Sequence, residues 1–87
     1  MSRKVLLHPD VIKYLDSLEE KERARCYASL KRLEEDPITS RPGCDIKKLH
    51  GKRGPIYRLR VGEHRLIYLL SGQEALVQDA FRRGRGY

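Results

Sequence analysis

One twelve-residue segment, residues 57–68, constrains the fold of this chain more than any other part of the sequence. On either side of Gly62-Glu63 its residues largely alternate between apolar and basic, a pattern typical of β-strands with one buried face. A two-residue loop that begins with glycine favours a type II′ turn, whose twist matches that of the flanking strands. The segment therefore predicts a β-hairpin in which Val61 pairs with His64.

The predicted pairing places three arginines on one side of this hairpin. Directly opposed residues share a face of a sheet, so Arg60 and Arg65 oppose each other on the same side as Arg58. The other side carries an apolar row: Tyr57, Leu59, Val61, Leu66 and Tyr68. Like charges placed opposite each other destabilise a sheet. Three guanidinium groups gathered on one face therefore indicate a binding site for an anion.

The distribution of charge along the chain supports an anionic partner. Residues 1–36 contain eight Lys or Arg and eight Asp or Glu, whereas residues 37–87 contain eleven basic and four acidic residues. The whole formal net charge of +7 therefore lies in the second part of the chain. Such segregation is typical of proteins that bind a polyphosphate, and it favours nucleic acid over a merely solvated basic surface.

Length and composition limit what else the chain can be. Eighty-seven residues predict one small domain, residues 1–87, with one modest core. The sequence lacks an apolar run long enough for a membrane span or a signal peptide, so we expect a cytoplasmic protein without a membrane partner. Cys26 and Cys44 are far apart and not paired with histidines in a zinc pattern. We therefore expect reduced thiols, and neither a metal nor another cofactor.

The remaining segments predict two more strands and two helices. We expect a short strand over residues 3–7, a helix from Pro9, a second helix over residues 20–35 and a last strand over residues 75–81, while residues 37–55 read as a long irregular connection. The expected buried stripes are Val11, Ile12, Leu15 and Leu18 on the first helix, and Cys26, Tyr27, Leu30 and Leu33 on the second. The predicted fold is α+β in the order β-α-α-β-β-β, with the helical hairpin on one face of a twisted, mainly antiparallel sheet.

The opposite face of that sheet is expected to remain open and to bind partners. Ile67 and Leu69 share it with the arginines, and apolar residues without a cover predict a protein interface. A final turn of two or four residues would place Phe81 on the core face and Arg82 on the open face. The candidate contacts to nucleic acid are Lys47, Lys48, Lys52, Arg53, Arg82 and Arg85.

The chain resembles the RelE/ParE family of toxins from toxin–antitoxin systems. The resemblance lies in the order of elements, the segment Lys48-Leu49-His50-Gly51, the hairpin of residues 57–68 and the arginine-rich ending with an aromatic. RelE-type members are ribosome-dependent endoribonucleases that cut mRNA in the A site, whereas ParE-type members poison DNA gyrase. The resemblance implies a type II toxin with a cognate antitoxin and the mRNA-bearing ribosome as partners. The alternatives are a gyrase-binding toxin and an inactive basic module that binds RNA or the antitoxin.

The resemblance also implies which residues act. The two basic residues of the second family strand fall on Arg58 and Arg60, where the family often has lysines, and its strand-three arginine falls on Arg65. Its late arginine falls on Arg83 or, one step away, on Arg82. With the C-terminal tyrosine, the implied catalytic set is Arg65, Arg58, Arg60, Arg83 and Tyr87. A gyrase binder has no need for this set, which therefore favours RNA cleavage.

These residue types suit only part of the chemistry of metal-independent RNA cleavage. Attack of a 2′-hydroxyl on the adjacent phosphorus requires a base, stabilisation of a phosphorane and an acid for the leaving oxygen. Guanidinium groups bind phosphate oxygens bidentately but transfer protons poorly. The general base therefore stays open among Tyr87, His64 and Glu63, with His64 expected rather to pack at a strand end on the apolar side. We expect weak activity on free RNA, with the ribosome supplying the geometry.

Overall fold

A computed structural model of the chain describes residues 3–49 and 54–84. Over these residues the chain forms β1 (Lys4–Leu7), α1 (Pro9–Asp16), α2 (Glu20–Arg32), β2 (Asp45–Lys48), β3 (Ile56–Val61), β4 (His64–Ser71) and β5 (Glu74–Arg82). Four of the predicted site residues lie outside this part of the chain: Lys52, Arg53, Arg85 and Tyr87. Neither described helix is long and apolar enough to cross a lipid bilayer.

The strands form a single sheet in the order β1-β5-β4-β3-β2. β1 runs parallel to β5, and every other pair is antiparallel. The apolar face of the sheet packs against the two helices, which confirms the predicted α+β class and the helical layer on one face. The other face is the open one.

One strand was not expected from the sequence. β2 lies within the predicted irregular connection and pairs with β3, so that Asp45 opposes Arg60 and Lys47 opposes Arg58. Only one of its four residues, Ile46, is buried. A four-residue edge strand with one apolar side chain is too short to show a periodic pattern.

Each helix buries a narrower stripe than the sequence predicts. Val11 and Leu15 of α1 and Cys26 and Leu30 of α2 are buried, together with Leu18 and Leu33 just beyond the two helices. Ile12 and Tyr27, by contrast, are 41% and 40% exposed. Successive helical residues are rotated by about 100°. The neighbours of Val11 and Cys26 therefore turn away from the sheet.

The predicted hairpin and its pairing are confirmed. Val61 opposes His64, and the intervening turn has a positive φ of 59° at Gly62. No described residue other than glycine has a positive φ, so only the first turn position does, as a type II′ turn requires. Further along the hairpin, Tyr57 and Tyr68 stack in the core with ring centroids 5.6 Å apart.

A β-bulge interrupts the pairing of β4 with β5. Tyr68 opposes Val77, but the preceding residue, Ile67, opposes Asp79. One extra residue on β5 is therefore accommodated between them, and such a residue reverses the alternation of side chains beyond it.

The bulge overturns two predicted orientations. Phe81 opposes Arg65 and lies on the open face, whereas Arg82 opposes His64 and lies on the helix face. The sequence-based assignment of Phe81 to the core face and of Arg82 to the open face is wrong because it assumes unbroken alternation.

The connection from α2 to β2 is fixed at its start by Asp36. Its carboxylate accepts hydrogen bonds from the backbone N–H of Ile38 and Thr39, at 2.9 and 3.0 Å. These bonds lower the pKa of Asp36 from 3.8 to about 2. The next residue, Pro37, accepts a 2.6 Å hydrogen bond from the hydroxyl of buried Tyr68, which ties the connection to the core.

We expect Asp36 to make folding stability depend on pH in acid. Because its pKa is lower in the folded state, the carboxylate contributes stability fully above pH 4 and loses that contribution as the pH falls towards 2. Asp36→Asn keeps an oxygen acceptor but does not titrate. The difference in urea midpoint between wild type and Asp36→Asn should therefore change between pH 4 and 2. A constant difference across that range would contradict the assignment.

Candidate active site

The open face of the sheet gathers basic side chains from three strands and from the residue after the last strand. We call this group the basic face; its members are Lys47, Arg58, Arg60, Arg65 and Arg83. Within it, Arg58, Arg65 and Arg83 line a shallow cleft of about 230 Å³ whose wall also includes Phe81. The structure therefore brings together the four arginines of the predicted catalytic set.

Arg65 lies at the centre of the basic face and is held by its own hairpin turn. Its Nη1 donates hydrogen bonds to the carbonyl oxygens of Gly62 and His64, at 2.9 and 3.2 Å. Burial lowers the pKa of Arg65, and so do the charges of Arg60, Arg58 and Arg83. A guanidinium nevertheless stays protonated at neutral pH. The site is therefore a cluster of mutually repelling cations that an anion would stabilise.

One carboxylate partly offsets this charge. Asp45 of β2 lies 3.9 Å from Arg58 and 4.0 Å from Arg60. Exposed ion pairs at such distances contribute little to the stability of a protein. In addition, the buried Nε of Arg58 has no hydrogen-bond partner among the described residues. An unpaired buried donor is costly, and a phosphate oxygen entering the cleft would supply an acceptor.

The apolar patch expected on this face is smaller than predicted. Ile67 is only 3% exposed and lines the cleft beside Leu49 and Phe81, so the expectation that it lacks a cover is wrong. Leu69 is half-buried. The binding of an antitoxin at Ile67 and Leu69 stays a prediction, but an exposed hydrophobic surface no longer supports it at Ile67.

The structure distinguishes the two late arginines. Arg83 lines the cleft, whereas Arg82 faces the helix side and pairs with the carboxylate of Glu63 at 3.3 Å. The backbone N–H of Arg83 also donates a 2.6 Å hydrogen bond to the carbonyl of Glu63. Of the two alternatives left open by the sequence, Arg83 is therefore the one that joins the other arginines.

The two lysines of β2 are also separated. Lys47 opposes Arg58 on the basic face, whereas Lys48 opposes Tyr57 and belongs to the other face, where it is exposed at the sheet edge. Only Lys47 is placed to extend the basic face. Its strand was missed in the sequence, because Asp45 to Lys48 include only one apolar residue and show no periodic pattern.

His64 is buried on the helix face and anchors the hairpin to both helices. It is 2% exposed. Its Nδ1 lies 2.7 Å from the hydroxyl of Tyr14 in α1, and its Nε2 lies 2.7 Å from a carboxylate oxygen of Glu22 in α2. In the neutral ring, Nε2–H donates to Glu22 and Tyr14 donates to Nδ1. The hydrogen bond from His64 lowers the pKa of Glu22.

This placement settles one candidate for the general base. His64 packs at the strand end on the apolar side, as the sequence favoured, and its ring points away from the basic face. Glu63 is exposed in the turn and pairs with Arg82, while Tyr87 lies outside the described residues. The described residues of the basic face thus have the charge to bind a phosphate but offer no group that readily accepts a proton.

We expect removal of the His64 ring to destabilise the fold. His64→Ala deletes two partly buried hydrogen bonds and leaves a cavity, which should lower the free energy of unfolding by about 2–3 kcal/mol. Urea unfolding followed by circular dichroism measures this loss. Lys31→Gln, an exposed substitution on α2, serves as the control and should change stability by less than about 0.5 kcal/mol. Equal stability of the His64→Ala variant would show that the network contributes nothing.

Comparison with known proteins identifies the fold. A scan against protein-family models and a search of curated proteins each find no match. Among solved structures, the chain is 30% identical to a chain of the archaeal RelE–RelB complex from Pyrococcus horikoshii OT3, with a TM-score of 0.83. The alignment covers 99% of this chain and 100% of that one.

More distant structures share the same fold. The isolated RelE toxin of E. coli aligns with a TM-score of 0.78 at 17% identity, over 98% of this chain and 88% of that chain. The RelB–RelE antitoxin–toxin complex from Methanococcus jannaschii aligns with a TM-score of 0.71 at 21% identity, over 88% of each chain. At this identity the two likenesses concern the fold alone.

Proposed function

The chain belongs to the RelE family of toxins, and we propose that it is a type II toxin that cleaves mRNA in the ribosomal A site. The observation that carries this proposal is the convergence of Arg58, Arg65 and Arg83 on one cleft, with Arg60 directly opposite Arg65. No structural need of the sheet explains this arrangement, because opposed like charges destabilise it.

The cleft suits the step of RNA cleavage that develops the most negative charge. In-line attack of the 2′-hydroxyl gives a pentacoordinate phosphorane with more charge than the phosphodiester. Guanidinium groups preorganised around that position stabilise it without reorganising. Phe81 on the wall of the cleft offers an aromatic surface of the kind on which unpaired RNA bases stack.

The same residues explain why the ribosome is proposed as a partner. Arginines at the cleft position and stabilise phosphate but transfer protons poorly, so the rate depends on how well the RNA is aligned for attack. The decoding site of a ribosome holds single-stranded mRNA in a fixed path, and fixed geometry lowers a barrier by removing entropic cost. We therefore propose a cytoplasmic enzyme that works without a metal or other cofactor and acts on ribosome-bound mRNA.

The proposed partners include a cognate antitoxin. The relatives from Pyrococcus horikoshii and Methanococcus jannaschii are seen in complexes with RelB. For this chain we propose an acidic antitoxin segment that masks the basic face and contacts Leu69 beside it. We propose further contacts to RNA or the ribosome at Lys47, at the exposed Lys48 and Arg82, and, outside the described part of the chain, at Lys52, Arg53 and Arg85. Tyr87, which also lies outside the described residues, is proposed as a member of the catalytic set.

The first test concerns Arg65. Purified wild-type protein should cut mRNA on programmed ribosomes far faster than the same RNA alone, with toeprints at the A site. Arg65→Ala should lower the cleavage rate at least about 100-fold, since one preorganised charge is lost from the transition state. Arg65→Lys should recover part of it, because a lysine keeps the charge but not the bidentate fork.

Lys13→Ala, an exposed change on α1, is the control for purification and folding and should cleave like wild type. Efficient cleavage of free RNA would refute the ribosome dependence. Full activity of a folded Arg65→Ala variant would refute the site, and inhibition of DNA supercoiling without any RNA cuts would favour a gyrase-binding toxin instead.

The second test compares the two late arginines. Arg83→Ala should lower A-site cleavage about 100-fold, because this side chain lines the cleft. Arg82→Ala removes the same charge from the neighbouring position, which lies outside the cleft, and breaks an exposed ion pair with Glu63. It should therefore retain activity within about fivefold of wild type. The opposite ranking would mean that the bulge in β5 is absent in solution.

A further inference from the structure

A second group of arginines lies around the sheet edge from the basic face. A cleft of about 390 Å³ lies between α2 and the part of the sheet edge where β2 begins and β3 ends. Arg25 and Arg32 line it from the helix, and Arg60 lines it from β3. Arg60 also belongs to the basic face. The edge cleft, as we call it, therefore continues the positive surface of the active site around the edge of the sheet.

The fold holds this cleft in a defined shape. Arg25 and Arg32 are seven residues apart, close to two helical turns, so both lie on one side of α2. Nη1 of Arg32 donates a 2.8 Å hydrogen bond to the carbonyl of Pro42. Glycine at residue 43 favours this arrangement: its φ of +80° disfavours other residues, and a Cβ there would lie 2.5 Å from Nη1 and displace the guanidinium.

The positive charge of Arg25 is not balanced by an ion pair with any described residue. It is exposed and lies over the hairpin turn, with its guanidinium 3.6–3.9 Å from where a Cβ on Gly62 would be. Among the described residues its guanidinium has neither a hydrogen bond nor an ion pair. Glu22, whose carboxylate pKa Arg25 helps to lower, is held at 2.7 Å by His64 instead.

The charges of the edge cleft leave a net positive balance. Three guanidinium groups line it against one carboxylate, Asp45, which already lies within 4.0 Å of both Arg58 and Arg60. Guanidinium forks match the oxygens of a phosphate group. A strand of RNA crossing the basic face can continue past Arg60 into this cleft without leaving the positive surface.

We propose that the edge cleft binds a backbone phosphate of RNA, next to the RNA held at the basic face, with Arg25 and Arg32 as its ligands. This inference rests on the proposed function for the nature of the RNA, which is either the mRNA itself or ribosomal RNA. It adds a binding site outside the catalytic set, on a helix for which the sequence predicted only a buried stripe.

The test measures how strongly binding depends on salt. Each phosphate contact adds about 0.7–0.9 to the slope of log K against log salt. Arg25→Gln should lower that slope by about this amount and weaken ribosome binding about three- to tenfold at low salt, as measured by co-sedimentation. Arg25→Lys should restore the slope. Lys31→Gln removes the same charge from another side of α2, beside Val5 and Leu7, and should match wild type.

Two probes distinguish the source of the phosphate. A slope change with a short single-stranded RNA in the absence of ribosomes assigns the contact to mRNA; a change only with ribosomes that lack mRNA assigns it to ribosomal RNA. Either result supports the proposal. An unchanged slope for Arg25→Gln, or an equal change for Lys31→Gln, overturns it. So does a variant that loses affinity only for the antitoxin, since the cleft would then bind an acidic protein.

The outcome is independent of cleavage. If wild-type protein binds ribosomes but cuts no mRNA, the proposed function fails while the salt slopes remain measurable. If wild type cuts mRNA and Arg25→Gln has the wild-type slope, the proposed function stands and the edge cleft is refuted as an RNA site.

Discussion

The geometry of the candidate active site depends on the two-residue turn between β3 and β4. The carbonyls of Gly62 and His64 hold the guanidinium of Arg65, and the carbonyl of Glu63 holds the backbone of Arg83. The ring of His64 in turn fastens the same turn to both helices. The hydrophobic layer beneath the sheet thus fixes the positions of cations above it. A displacement of this turn would move the hydrogen-bond acceptors of both Arg65 and Arg83.

The bulge in β5 is the second condition for the site. Without it, regular alternation would send Arg83 to the helix face and bring Arg82 to the basic face. With it, the aromatic ring of Phe81 and the charge of Arg83 both reach the cleft. Bulges are common where a strand must re-aim a side chain near a functional site. Here the extra residue, Gln78, is exposed, so that an unpaired backbone group can bond to water.

The sequence predicts what local geometry determines. The register of the hairpin follows from its turn, so the pairing of Arg60 with Arg65 was predictable and is confirmed. β2 exists only because β3 offers it an edge, and four residues with one apolar side chain carry no periodic signal. The sequence contains one indication of the bulge: two polar residues, Gln78 and Asp79, instead of one, separate the inward-facing Val77 and Ala80. Nothing in the sequence predicts the hydrogen-bond partners of His64, which are 42 and 50 residues away along the chain.

The repulsion within the basic face links binding to catalysis. Three arginines around one cleft raise the free energy of the unliganded protein, and any anion that enters releases part of this excess. The release grows with the charge of the anion. A phosphodiester carries one negative charge, while the phosphorane formed during cleavage carries more. In the proposed cleavage reaction, the arginines would therefore stabilise the transition state more than the bound substrate, and only such a difference accelerates a reaction. If the protein cleaves RNA as proposed, the repulsion among the cations that lowers the pKa of Arg65 would contribute to catalysis in a cleft whose described residues include no good proton acceptor.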